Sequence, residues 1–161
     1  MDPSVAAIKR LTKELKANAK DPNPALEFLQ PVSDNNLLLW KGRLKGVPNT
    51  PYQDGLWDIS IKIPPSYPLH PPEIKFITPI CHPNIHATSG EVCLDVLKAQ
   101  WTPAWSVSSA CTAIQAMLSD PEPDSPLNID AANLARNRQI DPLAYDGLVR
   151  YYTRHYACSK N

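Results

Sequence analysis

Two short stretches contain the residues best suited to covalent chemistry, Cys81-His82-Pro83-Asn84 and Cys93-Leu94-Asp95. They set a thiol and a side-chain amide nine residues apart, from Asn84 to Cys93, in one irregular segment. A cysteine thiolate attacks acyl and thioester carbonyls, and the attack builds an oxyanion. An Asn NH2 group can stabilise that charge, and losing such a donor typically slows a reaction by about 10²–10³-fold. An Asn that follows proline also closes turns, so Asn84 alone admits both readings. His82 or His86 could deprotonate Cys93 as in a cysteine hydrolase, but no residue is recognisable as the orienting third member. A histidine next to proline also fixes a loop through backbone hydrogen bonds, and His82 is assigned that architectural role. Zinc is the other rival, with Cys81, His82, His86 and Cys93 as ligands. Structural zinc sites pair ligands two to four residues apart, and adjacent Cys81 and His82 do not suit one ion, so no metal is expected.

Cys81, Cys111 and Cys158 read as small packing residues. Four cysteines in 161 residues are too few for a disulfide scaffold, and a reduced, cytosolic protein is expected. The 16 basic residues balance 16 acidic ones, which argues against nucleic acid, where phosphate neutralisation supplies most of the affinity. The longest apolar run, Leu37 to Trp40, is far short of the roughly 18 residues of a membrane span, and no signal peptide is apparent. The terminal Ser159-Lys160-Asn161 approaches a peroxisomal import address but lacks its apolar last residue, so it is not read as one.

The length suits one domain over residues 1–161. Asp2 and Pro3 read as the start of an amphipathic helix with Ile8, Leu11 and Leu15 on one face, ending near Lys20. Strands are expected at residues 25–32 and 37–45, at the alternating Trp57, Ile59, Ile61 and Ile63, and at 73–78. Between the last two, residues 64–72 are too proline-rich for a central strand and read as a stiff exposed loop. Residues 79–105 show no period but contain scattered apolar anchors, the pattern of a packed functional loop. Helices follow at Ser106 to Leu118, 130–138 and 142–158, separated by the proline-rich run from Asp120 to Pro126. The fold class is α+β with an antiparallel meander sheet.

His82-Pro83-Asn84, Gly90-Glu91-Val92-Cys93-Leu94-Asp95 and Trp101-Thr102-Pro103-Ala104-Trp105 together resemble the ubiquitin-conjugating (E2) enzymes. The resemblance extends to Thr50-Pro51-Tyr52, to residues 67–72 and to the turn at Asp124, and so takes in most of the chain. Glu122 to Asn128 and the tail around Tyr151-Tyr152-Thr153 are most similar to the peroxisomal branch, whose members modify import receptors. The resemblance implies the ubiquitin-conjugating fold, no cofactor, ubiquitin carried as a thioester on Cys93, and Asn84 supporting the oxyanion. His82, Pro83, Asp95, Asp124 and Ser125 are implied as support. A partner surface for the activating enzyme and a RING-type ligase is implied at Lys9, Arg10, Lys13, Leu69, Pro103 and Ala104. A membrane-anchored recruiter and an import-receptor substrate complete the implied partners, on the cytosolic face of the peroxisome.

Three positions depart from that pattern. The connection from Asn84 to Cys93 is one residue longer than in many relatives. Ser125 stands where many place an Asp near the incoming amine, which removes a fixed negative charge. Phe28 falls near a small residue of several relatives and argues against a second, non-covalent ubiquitin surface there. A general cytosolic E2 and a ubiquitin-binding variant without catalysis are the alternatives, and the thiol beside Asn84 argues against the second.

Overall fold

The first helix, α1 (Pro3–Lys20), begins where the Asp2 carboxylate accepts the Ser4 N–H at 3.0 Å and satisfies one of the free amides of a helix start. The structure, a computed structural model, describes residues 2–158; Met1 and the Ser159-Lys160-Asn161 tripeptide lie outside the described residues. Ala7 and Leu11 are fully buried and Leu15 packs beside them, so one narrow stripe of α1 meets the core and the lysines remain exposed.

Four strands follow as an antiparallel meander, β1 (Leu26–Ser33), β2 (Asn36–Lys45), β3 (Leu56–Lys62) and β4 (Glu73–Phe76), in the spatial order β1-β2-β3-β4. Ile59 pairs with Gly42 and Phe76, and Ile61 with Trp40 and Ile74, so this row of residues turns inward together. Each such buried side chain contributes about 1.5–3 kcal/mol relative to an exposed one. The alternate row, Lys41, Ser60 and Lys75, forms the opposite, polar face.

The proline-rich segment between β3 and β4 is anchored from inside. Tyr67 is 1% exposed, whereas Leu69, two residues on, is 71% exposed. The irregular stretch after β4 departs from expectation at one place, since Leu94–Lys98 forms a short helix, α2, starting directly after Cys93. Five residues are too few to show a helical period in sequence. The helices α3 (Val107–Ser119), α4 (Ile129–Arg136) and α5 (Pro142–Tyr152) follow, and α5 runs into a wider π turn at Thr153–Ala157. Val107, Ala110, Cys111, Ile114, Met117 and Leu118 line the buried side of α3.

Candidate active site

The connection from Asn84 to Cys93 is folded into a small hairpin. Ile85 pairs with Val92, the His86 N–H donates to Glu91 O at 2.9 Å, and the Gly90 N–H returns to His86 O at 3.0 Å. Gly90 has φ +74°, and a Cβ there would lie 1.9 Å from the Phe76 carbonyl oxygen, so the turn packs on β4 only because this residue is glycine. The hairpin closes with the Cys93 N–H donating to Asn84 O at 2.9 Å, which holds the Cys93 backbone against that of the asparagine. Cys93 is half-buried and caps α2 through its backbone position, with exposed Asp95 in the first turn.

His82 and Asn84 are both fully buried. His82 Nδ1 accepts the Asn84 N–H at 3.0 Å, so Nε2 carries the proton and donates to Met117 O at 2.9 Å. Burial pushes the imidazole down to about 4 from 6.5, against the opposing pull of the Met117 carbonyl. With both ring nitrogens engaged, His82 ties the loop to α3 and has no lone pair free for a thiol proton. Pro83 fixes the other side through its carbonyl, which accepts the N–H groups of Leu127 and Asn128 at 2.9 and 3.1 Å.

The Asn84 side chain reaches the turn before α4. Its Nδ2 donates to Glu122 O at 2.7 Å and to Ser125 O at 3.0 Å, and its Oδ1 accepts the Glu122 N–H at 2.8 Å. Both amide hydrogens are therefore committed to backbone carbonyls in this arrangement. Arg136 holds the same turn from α4, donating to Pro123 O at 2.7 Å, with the exposed Asp124 carboxylate 3.8 Å from its guanidinium. Neither Glu122 nor Arg136 carries a sequence signal for this role.

The residues expected to face partners lie on or beside α1. Lys9, Lys13, Pro103 and Ala104 are exposed, as is Leu69. Arg10 differs, because its guanidinium is already engaged inside the chain, with Glu14 at 3.1 Å and with the carbonyls of Pro103 and Trp105 at 2.8 and 2.6 Å. It serves as a clamp between α1 and the loop after α2, a use that an Arg on a basic helix face does not announce.

Of the remaining cysteines, Cys81 and Cys111 are buried, and burial raises their thiols to about 11 and about 12. Cys158, after the π turn, is half-buried, and its Sγ donates to Asp54 O in the β2–β3 connection at 3.6 Å. Among the described residues, no three His, Cys, Asp or Glu side chains gather as a metal site.

The family model for ubiquitin-conjugating enzymes matches residues 10–152. The chain is 46% identical over 149 residues to "Ubiquitin-conjugating enzyme E2 pex4" of Dictyostelium discoideum, covering 92% of this chain and 98% of that protein. It is 41% identical over 157 residues to "Protein PEROXIN-4" of Arabidopsis thaliana, covering 96% and 98%. Among solved structures, the ubiquitin conjugating enzyme Pex4p of H. polymorpha, in complex with the soluble domain of Pex22p, is similar with a TM-score of 0.85 at 36% identity, covering 94% and 98% of the two chains. The match to the family model runs from the middle of α1 through the meander sheet and the loop of Asn84 and Cys93 to the end of α5, and the chain belongs to the ubiquitin-conjugating (E2) enzymes, with similarity to their peroxin-4 members.

Proposed function

We propose that this E2 enzyme carries ubiquitin as a thioester on Cys93 and passes it to a peroxisomal import receptor. The observation that carries the reading is the backbone bond from Cys93 N–H to Asn84 O, which joins a half-buried free cysteine to the loop of Asn84. In loading, the Cys93 thiolate attacks the thioester carbonyl held by the activating enzyme. A new S–C bond forms, the old one breaks, and the activating enzyme regains its thiolate. ATP enters only through the activating enzyme. In discharge, the acceptor attacks the Cys93 thioester and the Cys93 thiolate leaves. Asn84 supports the oxyanion in this scheme by exchanging the Ser125 carbonyl, the longer of its two contacts, for the substrate oxygen. His82, Pro83, Asp95, Asp124 and Ser125 shape the surroundings.

Lys9, Lys13, Leu69, Pro103 and Ala104 form the face for the activating enzyme and a RING-type ligase, with Arg10 holding its two sides together. Among the described residues no helix is long and apolar enough to cross a membrane. In this reading a membrane-anchored recruiter holds the enzyme on the cytosolic face of the peroxisome, and the H. polymorpha Pex4p assembled with the soluble domain of Pex22p supports a partner of that kind. In this reading the enzyme can pass ubiquitin to a cysteine as well as to a lysine, since a thiol near 8.5 deprotonates more readily than a lysine near 10.4 and the turn carries Ser125 where a carboxylate could assist an amine.

Incubation with ubiquitin-activating enzyme, ATP and ubiquitin should give a reductant-sensitive adduct on this chain. Cys93→Ala should give none, and Cys93→Ser a reductant-resistant ester, because an alkoxide leaves less readily than a thiolate. An adduct that persists in Cys93→Ala and maps to Cys81 or Cys158 would refute the assignment.

A further inference from the structure

Glu14 joins three segments that are distant in sequence. Its Oε2 accepts the Tyr67 hydroxyl at 2.5 Å and Arg10 Nε at 3.1 Å, and its Oε1 accepts the Val107 N–H at 2.8 Å. Tyr67 belongs to the loop that carries exposed Leu69. Val107 opens α3, directly after the loop that carries exposed Pro103 and Ala104. Arg10 extends the connection to the carbonyls of Pro103 and Trp105, and Trp101 Nε1 donates across to Pro68 O at 2.9 Å. The Glu14 side chain is only 11% exposed.

An ordinary surface ion pair does not explain this arrangement. Arg placed four residues before Glu is the less favourable order for the helix dipole, and exposed pairs contribute little. Two of the three donors come from other elements. The Val107 N–H is among the amides that a helix start leaves without an internal partner, so Glu14 acts as an N-terminal cap supplied from a different helix, where a negative charge also suits the dipole.

We propose that Glu14 is a positioning residue for partner docking: it fixes Leu69 on one loop and Pro103 and Ala104 on the other at a set spacing before any partner arrives. Loops held in this way need not be ordered on binding, which raises affinity without adding a contact. The proposal rests on the reading above, in which the activating enzyme docks on this face.

The test uses ubiquitin-activating enzyme, ATP and ubiquitin, with the rate of thioester formation measured against the concentration of this chain. Glu14→Gln keeps the shape but sets an NH2 group among donors, and should raise KM about tenfold with kcat changed less than about twofold. Tyr67→Phe removes a single hydroxyl and should raise KM about threefold. In a Leu69→Ala background the Tyr67→Phe effect should shrink toward nothing, because the anchor it positions is gone. Amide exchange in the unloaded chain is the independent measurement. Leu69 and Trp105, whose N–H groups bond Ser66 O and Thr102 O at 2.9 and 3.0 Å, should exchange faster in Glu14→Gln while Ile61 in the sheet does not. An unchanged KM, additive effects of Tyr67→Phe and Leu69→Ala, or faster exchange throughout the chain would overturn the proposal. A parent chain that takes no ubiquitin would instead overturn the function, and the exchange pattern would still decide whether Glu14 holds the two loops.

Discussion

Replacing Asn84 by Ala removes three hydrogen bonds at once, the two donated by Nδ2 and the one accepted by Oδ1, from a side chain with no exposed surface. Each is worth about 1 kcal/mol net, so the loss in stability should be about 3 kcal/mol, with the Pro83 carbonyl contacts to Leu127 and Asn128 limiting further loosening. For a chain of this size that lowers the melting midpoint by roughly 6–12 °C. The chemical effect is separate. If one Nδ2 hydrogen moves to the oxyanion during discharge, the rate should fall by about 10²–10³-fold. Denaturant unfolding gives the first number, and single-turnover discharge of the Cys93 thioester to free cysteine gives the second. Arg136→Ala is the control, because it releases the same turn at Pro123 O without touching Asn84. It should change discharge by less than about threefold, the scale of an exposed contact. Equal slowing by Arg136→Ala and Asn84→Ala would show that Asn84 acts only by shaping the turn. Unchanged discharge in Asn84→Ala would remove the oxyanion role altogether.

The His82 imidazole, held at about 4 when folded against 6.5, binds its proton mainly in the unfolded chain. Its contribution is therefore complete above about pH 6.5 and is lost as pH falls toward 4, by about 3 kcal/mol over that window. Denaturant titrations at several pH values should show a shallower acid loss in His82→Asn than in the parent, and parallel curves would contradict the assignment. Ser125→Asp adds a carboxylate to a turn whose existing Asp124 lies 3.8 Å from Arg136. It should speed discharge to free lysine more than to free cysteine, and equal changes would remove Ser125 as an argument for a thiol acceptor.

What the sequence showed clearly was whatever depends on neighbours. Asp2-Pro3 marked the start of α1, the alternation from Trp57 to Ile63 marked β3, and Ser106 marked the entry to α3, where its hydroxyl accepts the Ser109 N–H at 3.0 Å. The helix α2 was missed because Cys93 supplies no side-chain cap and five residues carry no period. The use of Arg10 was missed for a different reason. Its carbonyl partners lie 93 and 95 residues away, and nothing near α1 distinguishes such a clamp from an exposed cation. Asn84 lies between these cases, with its residue type legible but its partners 38 and 41 residues further on.

The buried groups also indicate how the site selects its thiol. Burial raises Cys81 to about 11 and Cys111 to about 12, which leaves on the order of 10⁻⁴ and 10⁻⁵ of each as thiolate at pH 7. Of the two loop histidines, His82 has both nitrogens bound and is held neutral, so it cannot activate Cys93, and exposed His86 uses its Nδ1 to accept the N–H groups of Thr88 and Ser89 at 3.2 and 3.0 Å within the hairpin turn. An enzyme built to hydrolyse would place a free base beside its nucleophile. A carrier gains from the opposite arrangement, since exchange of one thioester for another needs no strong base, and a base beside the loaded thiol would favour water as the acceptor. On the proposed reading, such a site suits holding an acyl group until a partner brings the acceptor, with the rate left to the partner that docks on the face proposed at Leu69, Pro103 and Ala104.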